Sequence, residues 1–77
     1  MIGPFEVVWS DPATEDWMRL SFADAQAVSV AVRRFAEGSP GPTVVCVDSE
    51  YRLFVGILMV VMLIDGDTLY VDRVRRA

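Results

Sequence analysis

The sequence predicts an α+β fold: a short N-terminal strand, two helices, then a C-terminal antiparallel meander with the helices packed on one sheet face. From Tyr51 to Arg76 the chain is dominated by β-forming residues broken at tight-turn signals. Two helix-start signals, Ser10-Asp11-Pro12 and Ser21, stand close together in the first half. Between the halves lies Gly38-Ser39-Pro40-Gly41-Pro42, a segment that cannot continue a helix.

The first element, 5–9 (FEVVW), is short and β-prone and reads as a strand. Asp11 as N-cap with Pro12 at the first helical position then opens a helix over 14–20. Ala13, Trp17 and Leu20 fall on one of its faces, with Glu15, Asp16 and Arg19 largely on the other. Ser21 followed by Asp24 is a capping-box variant that starts a second helix. Phe22, Ala25, Ser29, Val32 and Phe35/Ala36 give that helix one apolar stripe, and Gly38 ends it. Strands follow at 43–47 and 51–55, turning through Asp48-Ser49-Glu50. Gly56 occupies a turn or bulge position before the unbroken apolar run 57–64. Asp65-Gly66-Asp67 is a hairpin signal, and 68–74 closes the meander.

Seventy-seven residues make one domain, 1–77, close to the size at which a single core barely suffices. Hydrophobic residues are 53% of the chain, which is high for so small a domain and implies apolar surface left over for a partner or a homodimer. Net charge is −4, so long-range attraction to nucleic acid is not supported. All seven positive side chains are arginine, and there is no histidine. The chain therefore has no unperturbed base titrating near neutrality and no ordinary histidine-based metal site, and neither a metal nor a cofactor is expected.

Cys46, the lone cysteine, lies in an apolar strand run and reads as a buried small hydrophobe. Single-cysteine usage agrees with a reducing cytoplasm, and Met1 to Trp9, with no basic start, does not read as a signal peptide. The apolar block 53–64 is too short to span a bilayer as a helix, which takes about 20 residues, so no membrane association is expected. Trp9 and Trp17 are spaced to meet near the first strand–helix junction as core aromatics. The acidic pairs Glu15-Asp16 and Asp65/Asp67 are explained by helix-start and hairpin-turn roles and are assigned no catalysis.

Strand alternation places Ile57, Met59, Val61 and Leu63 on one face and Leu58, Val60, Met62 and Ile64 on the other. Only one of these faces can lie under the helices. Left open, the other is an exposed apolar patch of the kind that marks an interaction site; the bland alternative is that the linker and the amino-terminal arm cover it within the chain.

The order and spacing of Tyr51-Arg52-Leu53, Val55-Gly56, Val60, Ile64-Asp65-Gly66-Asp67, Leu69-Tyr70-Val71 and Arg73-Val74 resemble the RelE/ParE superfamily of bacterial toxin–antitoxin systems. About a third of the chain carries the resemblance in its residues, and the rest follows it in layout. It implies a cytoplasmic toxin-fold protein with an antitoxin-like partner. The family's chemistry relies on cationic side chains that hold RNA phosphate and stabilise charge developing during phosphodiester cleavage. Here Phe54, Met59 and Ala77 fall where the family pattern has basic residues, and only Arg52 survives from that set.

The first expectation is therefore a toxin-fold protein with lost or reduced mRNA endonuclease activity, acting by protein binding through Phe54, Ile57, Met59, Val61 and Leu63. A second is an active ribosome-dependent mRNA endonuclease using Arg52 with Arg73, Arg75 or Arg76 as displaced catalytic cations. A third, implied by the ParE branch, is a DNA gyrase inhibitor that needs no RNA chemistry. The bland reading of the C-terminal arginines is a solvated terminus salt-bridged to Asp65, Asp67 or Asp72.

Overall fold

A computed structural model describes residues 4–77. In chain order the elements are β1 (Glu6–Trp9), α1 (Asp11–Met18), α2 (Phe22–Ala36), β2 (Thr43–Val47), β3 (Glu50–Val55), β4 (Leu58–Asp65) and β5 (Thr68–Arg76). The α+β order expected from the sequence is the order found.

All five strands form one sheet in the order β1-β5-β4-β3-β2. The meander β2 to β5 is antiparallel throughout, whereas β1 lies parallel to β5, pairing Glu6 with Thr68 and Trp9 with Val71. Both two-helix and linker segments therefore act as the crossover that carries the chain from one sheet edge to the other.

Ser10, not Asp11, caps α1: its Oγ accepts from the Ala13 backbone N–H at 3.1 Å. The same hydroxyl donates to the Asp72 carbonyl at 2.8 Å, and the Ser10 N–H donates to the Val71 carbonyl. One residue thus ends β1, starts α1 and ties both to β5, so the helix begins three residues earlier than expected. Ser21 caps α2 as the sequence indicated, accepting from the Asp24 N–H at 3.2 Å. Past the other end, Gly38 has φ +78°, and its N–H donates to the Phe35 carbonyl. A left-handed residue here stops the helix.

The buried stripe of α2 is Ala25, Val28, Val32, Phe35 and Ala36. Phe22, expected in that stripe, is 83% exposed because it sits in the first turn, ahead of the part of the helix lying on the sheet. Facing the stripe are Leu53 of β3, Leu58, Val60 and Met62 of β4, and Leu69, Val71 and Val74 of β5. Leu53, Val60, Met62, Leu69 and Val71 are fully buried, so the core lies between α2 and the three inner strands.

The β2–β3 turn is Asp48-Ser49 with φ of +50° and +69°, the paired left-handed conformation that matches hairpin twist. Gly56 (φ +58°) and Gly66 (φ +60°) take the left-handed positions of the next two turns. Ile57 consequently belongs to the β3–β4 turn and not to the long strand, which starts at Leu58.

Leu53→Ala is expected to lower unfolding free energy by about 2–5 kcal/mol in a urea titration, through lost burial and a cavity. Phe22→Ala should change it by no more than about 0.5 kcal/mol. Equal effects of the two would contradict the placement of the core.

Candidate functional site

Helices cover one face of the sheet, and the strand registers assemble the other into three rows. Val8, Tyr70 and Leu63 form the first, each about 41% exposed. Val45, Arg52, Val61 and Arg73 form the second. Thr43, Phe54, Met59 and Arg75 form the third. Met59, Val61 and Leu63 thus share the open face as strand alternation predicted, and Phe54 joins them from β3 opposite Met59. Ile57 does not share it as a strand residue: it projects from the turn, 66% exposed. Val61 is only 6% exposed, so it is floor and not surface. Val8, Val45 and Tyr70 were missed because their membership depends on which strands become neighbours, although their own alternation was readable.

The four candidate cations have different fates. Arg52 turns to Glu50, two residues back on the same strand face, with Nε and Nη2 both 3.3 Å from Oε1. Arg73 is held by Asp16 of α1: its Nε donates to Oδ2 at 2.8 Å and its Nη2 to Oδ1 at 3.3 Å. Its partner is therefore none of Asp65, Asp67 and Asp72, which lie near in sequence. A β-bulge explains the choice. Val61 pairs with Arg73 but Met62 pairs with Val71, which leaves Asp72 as the extra residue. Beyond that point β1 has ended, and α1 runs along β5 in its place, where Asp16 also accepts the Val74 backbone N–H at 3.0 Å.

Asp16 is only 12% exposed. Its carboxyl is held below its ordinary value, first by the Arg73 hydrogen bond, with burial opposing and the Val74 N–H assisting. The Arg73 guanidinium is correspondingly pushed up by the hydrogen bond to Asp16.

Arg75 lies opposite Met59 and is exposed, while Arg76 lies opposite Leu58 and so belongs to the other face. Neither has a carboxylate within 4.0 Å among the described residues. Arg52, Arg73 and Arg75 thus share the open face, two of them turned to acids, and Arg76 lies apart on the other face.

Cys46 corrects a second expectation: it is exposed. It lies on the edge strand β2, whereas the main sheet contacts of α2 are with β3 and β1. Trp9 and Trp17 meet as expected, edge to face with ring centroids 6.5 Å apart. Among the described residues no three acidic or cysteine side chains gather to hold a metal ion. No helix among them is long and apolar enough to cross a membrane.

Comparison with protein-family models and with curated proteins finds no match. Solved structures do match. The RelB–RelE antitoxin–toxin complex from Methanococcus jannaschii contains a chain that superposes with a TM-score of 0.78 at 13% identity, covering 90% of this chain and 88% of that one. A chain of the RelBE2 toxin–antitoxin complex from Mycobacterium tuberculosis superposes with a TM-score of 0.75 at 18% identity, covering 96% of this chain and 99% of that one. The chain has the RelE fold. On this RelE fold the open sheet face presents apolar side chains in the third row, with Arg75 at its end.

The Asp16–Arg73 pair gives the fold a defined acid response. A carboxyl whose folded value is depressed stabilises the protein above its unfolded value, near 3.8, and loses that contribution as pH falls through the lower folded value. Asp16→Asn is expected to cost about 1 kcal/mol at pH 7, a small figure because Arg73 is half in solvent. The gap between variant and parent in chemical denaturation should stay constant from pH 7 to about pH 5 and close below 3.8. A gap that widens in acid would contradict the assignment.

Proposed function

We propose that this chain is the toxin-fold member of a toxin–antitoxin pair, with mRNA endonuclease activity lost or reduced, acting by binding an antitoxin-like protein through its open sheet face. The observation that carries this reading is the row Thr43, Phe54, Met59 and Arg75. Two of the positions that the RelE/ParE pattern gives to basic residues are here an adjacent apolar cross-strand pair, Phe54 opposite Met59.

Electrostatics supports the same reading. Phosphate must be neutralised by cations that are free to reach it. Arg52 is turned toward Glu50 and Arg73 toward Asp16, which leaves Arg75 as the open-face arginine without an acid within 4.0 Å among the described residues. One guanidinium without an acid beside it on this face, in a chain of net charge −4, is a poor clamp for an RNA backbone.

Apolar burial is the stronger resource of this face. Leu63, Tyr70, Val45 and Val8 are each at least 41% exposed, and Phe54 and Met59 lie half-buried beside them. A partner covering them gains roughly 25 cal/mol per Å² of apolar area before the costs of association. Phe54, Met59 and Leu63 are the contact residues in this reading, with Val61 as the floor and Ile57 as an exposed contact at the rim. The structural neighbours are themselves chains from antitoxin–toxin complexes, which supports an antitoxin-like protein as the partner.

Primer extension on a reporter mRNA in a cell-free translation reaction tests the proposal. The unaltered chain is expected to leave the message uncut or nearly so. The double variant Phe54→Lys, Met59→Arg should gain codon-phased cuts that require ribosomes while keeping the fold. Robust ribosome-dependent cleavage by the unaltered chain would overturn the proposal.

A further inference from the structure

On the helix side of the sheet, away from the open face, Val7 and Trp9 of β1 converge with Trp17 of α1 and Val32 of α2 around a cavity of about 550 Å³. That volume falls within the roughly 300–1,000 Å³ typical of small-molecule sites. Strand alternation separates it from the surface assigned above: Val7 and Trp9 point toward the helices, while Val8 between them faces the open side.

Few polar groups reach this cavity, and most are already engaged. The Trp17 indole N–H donates to the Ala25 carbonyl at 2.9 Å and to Ser29 Oγ at 3.0 Å. The Thr14 hydroxyl on the wall donates to the Ser10 carbonyl at 3.0 Å. One charged side chain remains, Arg33, at an exposed position on α2. It has no carboxylate within 4.0 Å among the described residues, although the chain carries more acids than arginines.

We infer that this cavity binds a small apolar anion, an aromatic or aliphatic carboxylate whose body lies against Trp9, Trp17 and Val32 and whose charge meets Arg33. The body is apolar because the wall is mostly aromatic and aliphatic and its Trp17 and Thr14 donors are committed within the chain. A single negative charge is favoured because the lining holds one cation and no acid. The inference goes beyond the proposed partner binding and uses different residues.

The chain's two tryptophans make the test direct, since both line the cavity. In ¹⁵N–¹H spectra of the full chain, 2-naphthoate is expected to shift the Trp9 and Trp17 indole N–H signals and the Ser29 and Val32 amides in a saturable manner. The neutral isostere 2-naphthamide should move the same signals more weakly. Arg33→Gln, an exposed substitution whose folding the same spectrum verifies, should weaken 2-naphthoate by about fivefold and leave 2-naphthamide unchanged.

Absence of a saturable shift up to about 1 mM naphthoate, an affinity worth about 4 kcal/mol, would overturn the inference and leave the cavity to a side chain of a protein partner. Equal weakening of both probes by Arg33→Gln, or shifts confined to Phe54 and Met59, would overturn it as well.

Discussion

The packing of the α2 stripe, Val28, Val32, Phe35 and Ala36, onto Leu53, Val60, Met62 and Val71 is the contact on which the remaining structure depends. A chain this short has one core to build, and two short helices have enough apolar surface to cover one face of a five-stranded sheet. Once α2 occupies that face, the opposite face must do without cover from the helices. Its side chains then face solvent or a partner, which is why Leu63, Tyr70, Val45 and Val8 remain exposed.

The same constraint governs the arginines. Parallel pairing of β1 with β5 stops at Trp9 and Val71, and α1 takes over the edge from there. An exposed strand edge needs its N–H groups satisfied, and Asp16 does this for Val74 while drawing in the Arg73 guanidinium. A cation that the sequence places on the open face is thereby spent on closing the fold. Arg52 is turned aside more locally, by an acid two residues away on its own strand face. What distinguishes this surface from a phosphate-binding one is thus partly which residues are present, Phe54 and Met59, and partly where the arginines that are present are directed.

Departures from the sequence reading share one character. Ser10 displaced Asp11 as the N-cap because its hydroxyl also reaches the Asp72 carbonyl, sixty-two residues away in the chain. Cys46 is exposed because β2 became an edge strand, and Phe22 because the first turn of α2 precedes the part that meets the sheet. Arg73 found Asp16 instead of the nearby aspartates because a bulge at Asp72 sits where α1 replaces β1. In each case a contact between distant segments outweighed a local preference of similar strength.

Local chemistry was enough to determine, from the sequence by itself, the element order, the Ser21 cap, the Gly38 stop, the hairpin turns and the separation of Met59 from Val60 on opposite strand faces. These follow from dihedral preferences and from the two-residue period of a strand, which act over a few residues and need no knowledge of the rest of the chain. Tertiary structure alone decided that β1 joins β5 in parallel, which strands lie at the edges, which arginines are paired, and that a cavity lined by both tryptophans remains. Those outcomes depend on distances between segments tens of residues apart, and such distances exist only after the chain has closed around its core.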